Sequence, residues 1–281
     1  MQHVIDRAVL ITGAAGAIGT VLKQRLKGRY RRLVLADIEV PGDHPADEVW
    51  TKLDVLDRAG LVASFESVDA IVHLATAPLD ASWDTMQRTN VDGTWNVFEM
   101  AAQCRVARMV YTSSNHITGY HRRTDRLNTN SQIRTDSHYG VTKAFGEATA
   151  RMFADKKGLS TVVIRIGSFQ PAPKNIRMLS TWLSHNDAEQ LFARAIETPG
   201  LDYEAVYGVS ANTRSFWQPD ASPLNYRPTD NAEDYAADVF AHMRATDEPE
   251  LEREFQGGDF CSQGYSRHRA DNLPGSDKDE H

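Results

Sequence analysis

Short apolar runs recur through the first two-thirds of the chain, and segments with helical periodicity separate them. Continuous apolar runs of this length predict strands buried on both faces of a sheet. They cover residues 8–12, 33–36, 70–74, 109–112 and 161–166. The amphipathic segments lie near 17–27, 57–66, 84–104 and 139–157. Strands that alternate with helices predict an α/β fold, a doubly wound parallel sheet with helices on both faces.

The rhythm changes after residue 166. Residues 167–184 include two prolines and few periodic apolar positions, which predicts a long loop. Ser184 followed by Asp187 predicts an N-cap that opens a helix to about residue 197. A further strand is predicted over 205–209.

The C-terminal part has weaker signals. Asp230 with Glu233 predicts the start of a helix that runs toward residue 244. From residue 257 onward the chain is polar. We therefore expect a polar tail over 261–281 that is partly disordered.

Composition limits the partners and the compartment. The chain has 281 residues, 41% of them hydrophobic and 25% charged, which is typical of a globular protein with a sizeable core. A net charge of −7 without a basic stripe argues against nucleic acid, and no apolar run is long enough to predict a membrane span. The N-terminus lacks a signal-peptide pattern, and Cys104 and Cys261 form no metal-binding motif. We expect a cytoplasmic protein without a metal.

A glycine-rich loop follows the first predicted strand and opens the first helix. Gly13, Gly16 and Gly19 would permit a tight turn and the close approach of a ligand to the backbone. The helix N-terminus, at Ala17 and Ile18, would present unpaired N–H groups to a pyrophosphate. This context predicts a dinucleotide site, and a glycine-rich turn without ligand is the alternative.

Two carboxylates follow the next two strands. Asp37 lies 18 residues after Gly19, where a carboxylate binds the adenosine ribose and repels a 2′-phosphate. No arginine follows it directly, so NAD is favoured over NADP. A turn or helix cap is the other interpretation of Asp37. Asp54, beside Val55, is expected to reach the adenine.

Tyr139 and Lys143 are one helical turn apart and therefore share a helix face. A lysine in that position would lower the pKa of the phenol and make it a usable base. The alternative is a surface tyrosine packed beside a lysine side chain. Ser114 lies at the end of a predicted strand, 25 residues before Tyr139.

These motifs together resemble the extended branch of the short-chain dehydrogenase/reductase superfamily. The resemblance rests on the GxxGxxG spacing, on Tyr-x-x-x-Lys and on the segment 90–96, Asn-Val-Asp-Gly-Thr-Trp-Asn. It implies a Rossmann-type core over 1–166, with Ser114, Tyr139 and Lys143 as catalytic residues. The same resemblance implies that NAD also contacts Leu74, Ala75, Thr76, Asn90, Tyr139, Lys143 and Ile166.

Three further segments are similar to the uronate dehydrogenase family, whose members use NAD to oxidise C1 of galacturonate or glucuronate to an aldarolactone. They are residues 111–119, 167–182 and 256–260. The resemblance implies a uronic acid as the small-molecule substrate. The implied substrate-binding residues are Thr76, Ser114, Asn115, His116, Tyr139, Ser168 and Arg177.

The chemistry of a uronate supports the role of Arg177. The substrate carries a carboxylate far from the carbon that is oxidised, and a guanidinium binds such a group with two parallel hydrogen bonds. We expect Arg177 to bind this carboxylate; without the resemblance, a solvated loop arginine would be favoured. His116 is assigned to binding rather than to proton transfer. The family usually has a serine where this chain has Pro78, so a substrate contact is lost or supplied by Thr76.

The resemblance implies one catalytic domain over 1–260, in which 167–260 mainly binds substrate. A nucleotide-sugar epimerase or dehydratase is the runner-up, but such enzymes need a larger C-terminal portion. A non-catalytic NAD-sensing regulator is a third reading, and the intact Ser114, Tyr139 and Lys143 argue against it. Small residues such as Ala144 and Ala148 on the Tyr139 helix would permit packing against a second subunit, or they face the sheet. We expect a homo-oligomer.

Overall fold

A seven-stranded parallel sheet forms the centre of the molecule in a computed structural model, which describes residues 4–218 and 222–266. The strand order is β3-β2-β1-β4-β5-β6-β9, and every neighbouring pair is parallel. A small second sheet contains β7 and β8. The strands are β1 (Ile5–Thr12), β2 (Tyr30–Asp37), β3 (Val49–Lys52), β4 (Ala70–His73), β5 (Arg108–Ser114), β6 (Ser160–Ile166), β7 (Ser168–Phe169), β8 (Trp182–Leu183) and β9 (Tyr203–Gly208). The predicted doubly wound α/β fold is confirmed.

Helices cover both faces of this sheet. The α-helices are α1 (Ala17–Arg25), α2 (Arg58–Phe65), α3 (Trp83–Met86), α4 (Thr94–Gln103), α5 (His138–Lys157), α6 (Met178–Thr181), α7 (His185–Glu197), α8 (Ala236–His242), α9 (Glu250–Glu254) and α10 (Asp259–Ser262). One apolar core joins the sheet to α1 and α7, and a second joins it to α2, α4 and α5. Alternate residues of β1 serve the two cores, because side chains point to opposite faces along a strand.

The helix predicted over 84–104 is divided into three parts. Between α3 and α4 the backbone forms a π-helix over Gln87–Gly93. Gly93 lies against Val55, because a Cβ at Gly93 would be 2.5 Å from that side chain. A hydrophobic pattern cannot show this change, since π- and α-helical turns bury similar residues.

Two predictions for the second half of the chain are wrong. The segment 167–184 is not a simple loop, because β7, α6 and β8 lie within it. Asp230 does not cap the next helical turn; the side chain of Asn231 accepts the N–H of Glu233 and does so instead. The N-cap predicted at Ser184 is confirmed, since its hydroxyl accepts the N–H of Asp187 at 3.0 Å.

The tail predicted over 261–281 lies mostly outside the described residues. Its first residue, Cys261, is buried at the end of α10. Within the described part of the chain, no helix has the length and apolar character needed to cross a membrane.

Because the sheet is parallel, the carboxyl ends of β1, β4, β5 and β6 share one edge. Ligands of such sheets bind outside this edge. Thr12, His73, Ser114 and Ile166 end these four strands, and most of the residues singled out from the sequence follow them directly. The candidate site is therefore at this edge.

Candidate functional site

The glycine-rich loop after β1 has the shape that a dinucleotide requires. Gly13 has a φ of +69°, and a Cβ there would be 2.7 Å from the backbone nitrogen of Ala75. A Cβ at Gly19 would be 2.6 Å from backbone atoms of Ala14. No side chain caps the N-terminus of α1, and its first turn contains no acidic residue. The loop therefore leaves room and N–H donors for a pyrophosphate, which fits NAD.

Asp37 lies beside this loop at the end of β2. Its Oδ2 accepts the backbone N–H of Ala15 at 2.9 Å, so the carboxylate supports the loop and lies next to the expected ribose. Asp54 follows β3 and is exposed, and its Oδ1 accepts the N–H of Leu56 at 2.9 Å. The neighbouring Val55 is buried.

Tyr139, Lys143 and Ser114 lie together where α5 crosses the end of β5. The Nζ of Lys143 is 5.5 Å from the centre of the Tyr139 ring and donates a hydrogen bond to the Thr112 carbonyl at 3.0 Å. The Ser114 hydroxyl accepts the N–H of His116 at 3.2 Å. The same hydroxyl interacts with the phenol of Tyr139.

Burial is the main influence on the pKa of Tyr139, and the expected effect of Lys143 on the phenol stays a prediction. Burial raises the pKa of Tyr139 above its usual value, and the Ser114 hydroxyl lowers that pKa by a smaller amount. Tyr139 is partly exposed as a residue, but its phenol lies deep enough for burial to prevail. Burial also lowers the pKa of Lys143 to about 8. Of the two groups, the Lys143 amine is therefore the one whose pKa lies nearer to neutral pH.

Asn90 connects the segment after β4 to α5. Its side-chain oxygen accepts hydrogen bonds from the Thr76 hydroxyl at 3.1 Å and the Ala77 N–H at 2.7 Å, and its amide donates to the Thr142 hydroxyl at 3.1 Å. Asn90 is buried, and it lies in the π-helix. Pro78 follows in a turn, where its carbonyl accepts the N–H of Ala81. Leu74 and Ala75 lie against Gly13, so their backbone lines the cofactor side of the site.

Arg177 is held in place by uncharged oxygen atoms. Its Nε donates to the Gln256 carbonyl at 2.5 Å. With its amide oriented to satisfy both groups, Asn115 accepts from Nη2 of Arg177 at 2.6 Å and donates to the Ile166 carbonyl at 3.0 Å. Arg177 forms no ion pair with any carboxylate in the described part of the chain. Burial lowers the pKa of Arg177, and the nearby charge of Asp136 raises it.

His116 and Ser168 each contact a polar side chain of a neighbouring segment. The Nδ1 of His116 is 2.7 Å from Oδ2 of Asp136, and its ring centre is 3.9 Å from that of Phe260. The Ser168 hydroxyl is 2.8 Å from the hydroxyl of Thr181. Residues from distant segments therefore meet at the end of β5, where Asn115 contacts Arg177, and His116 stands beside Tyr139 and Phe260.

Ser113, the residue before Ser114, binds Glu147 and not the proposed site residues. Ser113 donates to Oε1 of Glu147 at 2.5 Å, and Arg165 forms a buried ion pair with the same carboxylate at 2.8 Å. These contacts join α5 to β5 and β6. Of the two adjacent serines, only Ser114 belongs to the cleft.

Comparison with known proteins agrees with this geometry. Residues 9–193 match the NAD dependent epimerase/dehydratase family. A uronate dehydrogenase of Pseudomonas putida is 40% identical over 260 residues, which cover 91% of this chain and 96% of the relative. The chain belongs to the uronate dehydrogenase family. Membership confirms the predicted family, and with it the expected class of enzyme, an NAD-dependent dehydrogenase, and the expected cofactor.

Two solved structures of the uronate dehydrogenase family have the same fold over nearly their whole length. One is a variant of uronate dehydrogenase from Agrobacterium tumefaciens in complex with NAD, with a TM-score of 0.87 and 35% identity, covering 91% of this chain and 97% of that one. The other is glucuronic acid dehydrogenase from Chromohalobacter salexigens, with a TM-score of 0.86, 34% identity and the same coverage.

Sequence reasoning missed the residues that support this uronate dehydrogenase site. Asp136 contacts His116, and Thr142 contacts Asn90 and Tyr139. Glu147 holds α5 through Ser113 and Arg165. None of the three belongs to a recognisable motif. Asp136 stands immediately before the N-cap of α5, at Ser137, and a carboxylate there was the only available signal. Among the described residues, no group of three or more His, Cys, Asp or Glu side chains is placed to hold a metal ion.

Proposed function

We propose that this chain oxidises C1 of a hexuronic acid, D-galacturonate or D-glucuronate, to the aldarolactone with NAD as the acceptor. The observation that carries the proposal is Arg177, a guanidinium that contacts Asn115 next to Ser114 and forms no ion pair with a carboxylate of the described chain. The carboxylates of Asp136 and Asp259 act on this guanidinium without contacting it, so a substrate carboxylate would form its first direct ion pair. The names of the relatives agree with this substrate class.

The free donors of Arg177 define how the carboxylate binds. Nε is used by the Gln256 carbonyl and one N–H of Nη2 by Asn115. Nη1 and the second N–H of Nη2 remain and form the end of the guanidinium fork. This end offers two parallel N–H donors, which match the two oxygens of a carboxylate. Asn115, proposed from the sequence as a sugar contact, supports the arginine in this arrangement.

The reaction removes a proton and a hydride from the same sugar carbon. Tyr139, once ionised, takes the proton of the C1 hydroxyl, and the C1–H bond breaks as the carbonyl of the lactone forms. Bound NAD supplies the acceptor for the hydride. Ser114 donates a hydrogen bond to the C1 oxygen while its charge develops. Lys143 orients the nicotinamide ribose, and His116 and Ser168 bind hydroxyl groups of the sugar.

The loop and the carboxylate at the end of β2 set the cofactor preference in this proposal. Ala17 and Ile18 would bind the pyrophosphate, and Asp37 the adenosine ribose. A 2′-phosphate would lie against the Asp37 carboxylate, so we propose NAD rather than NADP.

The decisive experiment follows NADH absorbance with galacturonate, glucuronate, neutral aldoses and UDP-glucose as substrates. We expect turnover of the uronates and little turnover of the others. Arg177→Ala should raise the KM for the uronate about 10- to 100-fold, because a charge-assisted hydrogen bond contributes about 1.5–3 kcal/mol. Binding of NAD should not change.

Arg214→Ala is the matched control, because Arg214 is an exposed arginine paired with Glu233 away from the cleft. Its KM should equal that of the wild-type protein. Equal turnover of neutral aldoses and uronates by the wild-type protein would contradict the carboxylate site. NAD binding without turnover of any uronate would favour a regulator.

A further inference from the structure

The imidazole of His116 is fixed from two directions. Its Nδ1 meets Oδ2 of Asp136 at 2.7 Å, and the ring of Phe260 packs against it with centres 3.9 Å apart. On its other side the imidazole stands edge-on to the Tyr139 ring, with centres 6.2 Å apart. Nε2 of His116 has no hydrogen-bond partner in the described part of the chain.

Asp136 is enclosed by two glycines from different segments. A Cβ at Gly119 would be 1.7 Å from Oδ2 of Asp136, and a Cβ at Gly257 would be 2.2 Å from it. The two glycines are joined by a hydrogen bond from the Gly257 N–H to the Gly119 carbonyl at 2.9 Å. The Asp136 side chain is fully buried, and its Oδ1 accepts the Ser137 hydroxyl at 2.8 Å. Water is thereby kept from the carboxylate.

A carboxylate at Nδ1 determines where the proton of a neutral imidazole resides. A carboxylate accepts hydrogen bonds but cannot donate them, so Nδ1 must carry the proton. Nε2 is then a hydrogen-bond acceptor, directed away from Asp136. An acceptor at this position would accept a hydrogen bond from a sugar hydroxyl.

We propose that Asp136 is a positioning residue of the substrate site, which holds His116 as the Nδ1–H tautomer so that Nε2 accepts a hydrogen bond from a hydroxyl group of the sugar. Phe260 limits rotation of the imidazole ring, and the backbone around Gly257 packs against the Asp136 carboxylate. Asp136 acts through His116 and does not touch the substrate. The role of Asp136 in substrate binding rests on the proposed uronate oxidation, whereas the tautomer does not.

The first test reads the tautomer without substrate. Two-bond ¹H–¹⁵N spectra of the histidine-labelled protein distinguish protonated from unprotonated ring nitrogens, and His116→Gln identifies the signals. We expect a protonated Nδ1 and an unprotonated Nε2 in the wild-type protein near pH 8. An Nε2–H tautomer would overturn the proposal whether or not the protein oxidises uronates. This measurement needs no variant of Asp136 and is unaffected if such a variant fails to fold.

The second test asks whether Asp136 acts through His116. Asp136→Asn should raise the KM for the uronate about tenfold, because an amide does not hold His116 as the Nδ1–H tautomer. The kcat and NAD binding should each change less than twofold. In the His116→Ala background the same substitution should have no further effect on KM. Asp136 is excluded as a positioning residue if its effect is undiminished in that background, or if KM is unchanged in the single variant.

Asp187→Asn is the matched control. Asp187 is equally buried and accepts the backbone N–H groups of Thr229 and Asp230 at 2.8 and 3.1 Å, outside the cleft. It should lower the melting temperature and leave KM unchanged. A wild-type protein without uronate turnover would refute the proposed function, and the spectrum of His116 would still decide the tautomer.

Discussion

At the scale of single residues, the order in which Tyr139 and Lys143 lose their protons governs the base. Burial raises the pKa of Tyr139 and lowers that of Lys143 to about 8. The pair therefore gives up its first proton near pH 8, mainly from the amine. The proposed mechanism needs a phenolate, which forms from this state when the remaining proton moves from the phenol to the amine. Lys143 thus makes the base available by accepting a proton, as well as by its charge.

This order predicts a specific pH dependence. The kcat/KM for uronate oxidation should rise with pH and level off above about pH 8, because the first proton of the pair must be lost. Lys143→Met removes the group that titrates there, and the buried phenol must then ionise alone. The rising limb of the variant should move to higher pH by at least about 1 unit. Profiles of kcat/KM between pH 6 and 10.5 measure the shift, and overlapping profiles for the two proteins would disprove it.

At the scale of elements, helix α5 is anchored by a buried ion pair. Glu147 on α5 binds Arg165 on β6 and Ser113 on β5, and the two charged side chains are 7% and 5% exposed. A buried charge that loses its partner keeps its desolvation cost. The anchor fixes the turns of α5 that carry Tyr139 and Lys143.

Glu147→Leu should therefore lower the free energy of unfolding by about 3–5 kcal/mol. The double variant Glu147→Leu/Arg165→Met should recover most of the loss, because it removes both charges. Asp155→Asn on the same helix is the control: it breaks the exposed Arg151–Asp155 pair and should cost less than about 0.5 kcal/mol. Urea titrations give all four values. A Glu147 variant as stable as the Asp155 variant would show that the anchor is dispensable.

The glycine-rich loop predicts a difference between two neighbouring glycines. A Cβ at Gly19 would be 2.6 Å from backbone atoms, whereas a Cβ at Gly16 would be 3.2 Å from the Gly13 carbonyl. Gly19→Ala should cost about 1–3 kcal/mol of stability and weaken NAD binding at least about tenfold, because backbone must move. Gly16→Ala should change both quantities less. Fluorescence titration with NADH and thermal melting compare the variants, and equal effects would contradict the steric argument.

The main elements could be predicted from sequence because buried parallel strands are continuous apolar runs. The strands around 8–12 and 161–166 were found in this way, with ends within three residues of those observed. The two-residue strands β7 and β8 could not be found, since no periodicity exists at that length. Arg177 was identified through its loop, but its partner Gln256 lies 79 residues away. The contact of Asp136 with His116 could not be predicted, because only the fold brings these two residues together.

At the scale of the whole molecule, the expected cofactor core and substrate portion depend on each other. The last strand of the main sheet, β9, pairs with β6. Helix α7 supplies Leu191, Phe192 and Ile196 to the apolar core that also contains Val162 and Ile164 of β6. Residues 1–166 alone would keep α1 on this face and leave the part that α7 covers in water.

A fragment of residues 1–166 should therefore fail to unfold cooperatively and fail to bind NAD. Burial of apolar surface is the main favourable term in folding, and the fragment lacks α7, which covers part of one face of the sheet. Thermal melting followed by circular dichroism, together with an NAD titration, compares it with residues 1–266. A cooperative transition and full-length affinity for NAD in the fragment would identify residues 1–166 as an independent domain.

The free N–H donors of Arg177 also affect the choice of assay buffer. In the proposed site, the two parallel N–H donors of Arg177 do not distinguish the carboxylate of a uronate from that of acetate or citrate. Common carboxylate buffers then act as competitors of the substrate, while amine buffers of the same ionic strength do not. An assay in citrate would therefore give a raised apparent KM for the uronate, because citrate competes for Arg177.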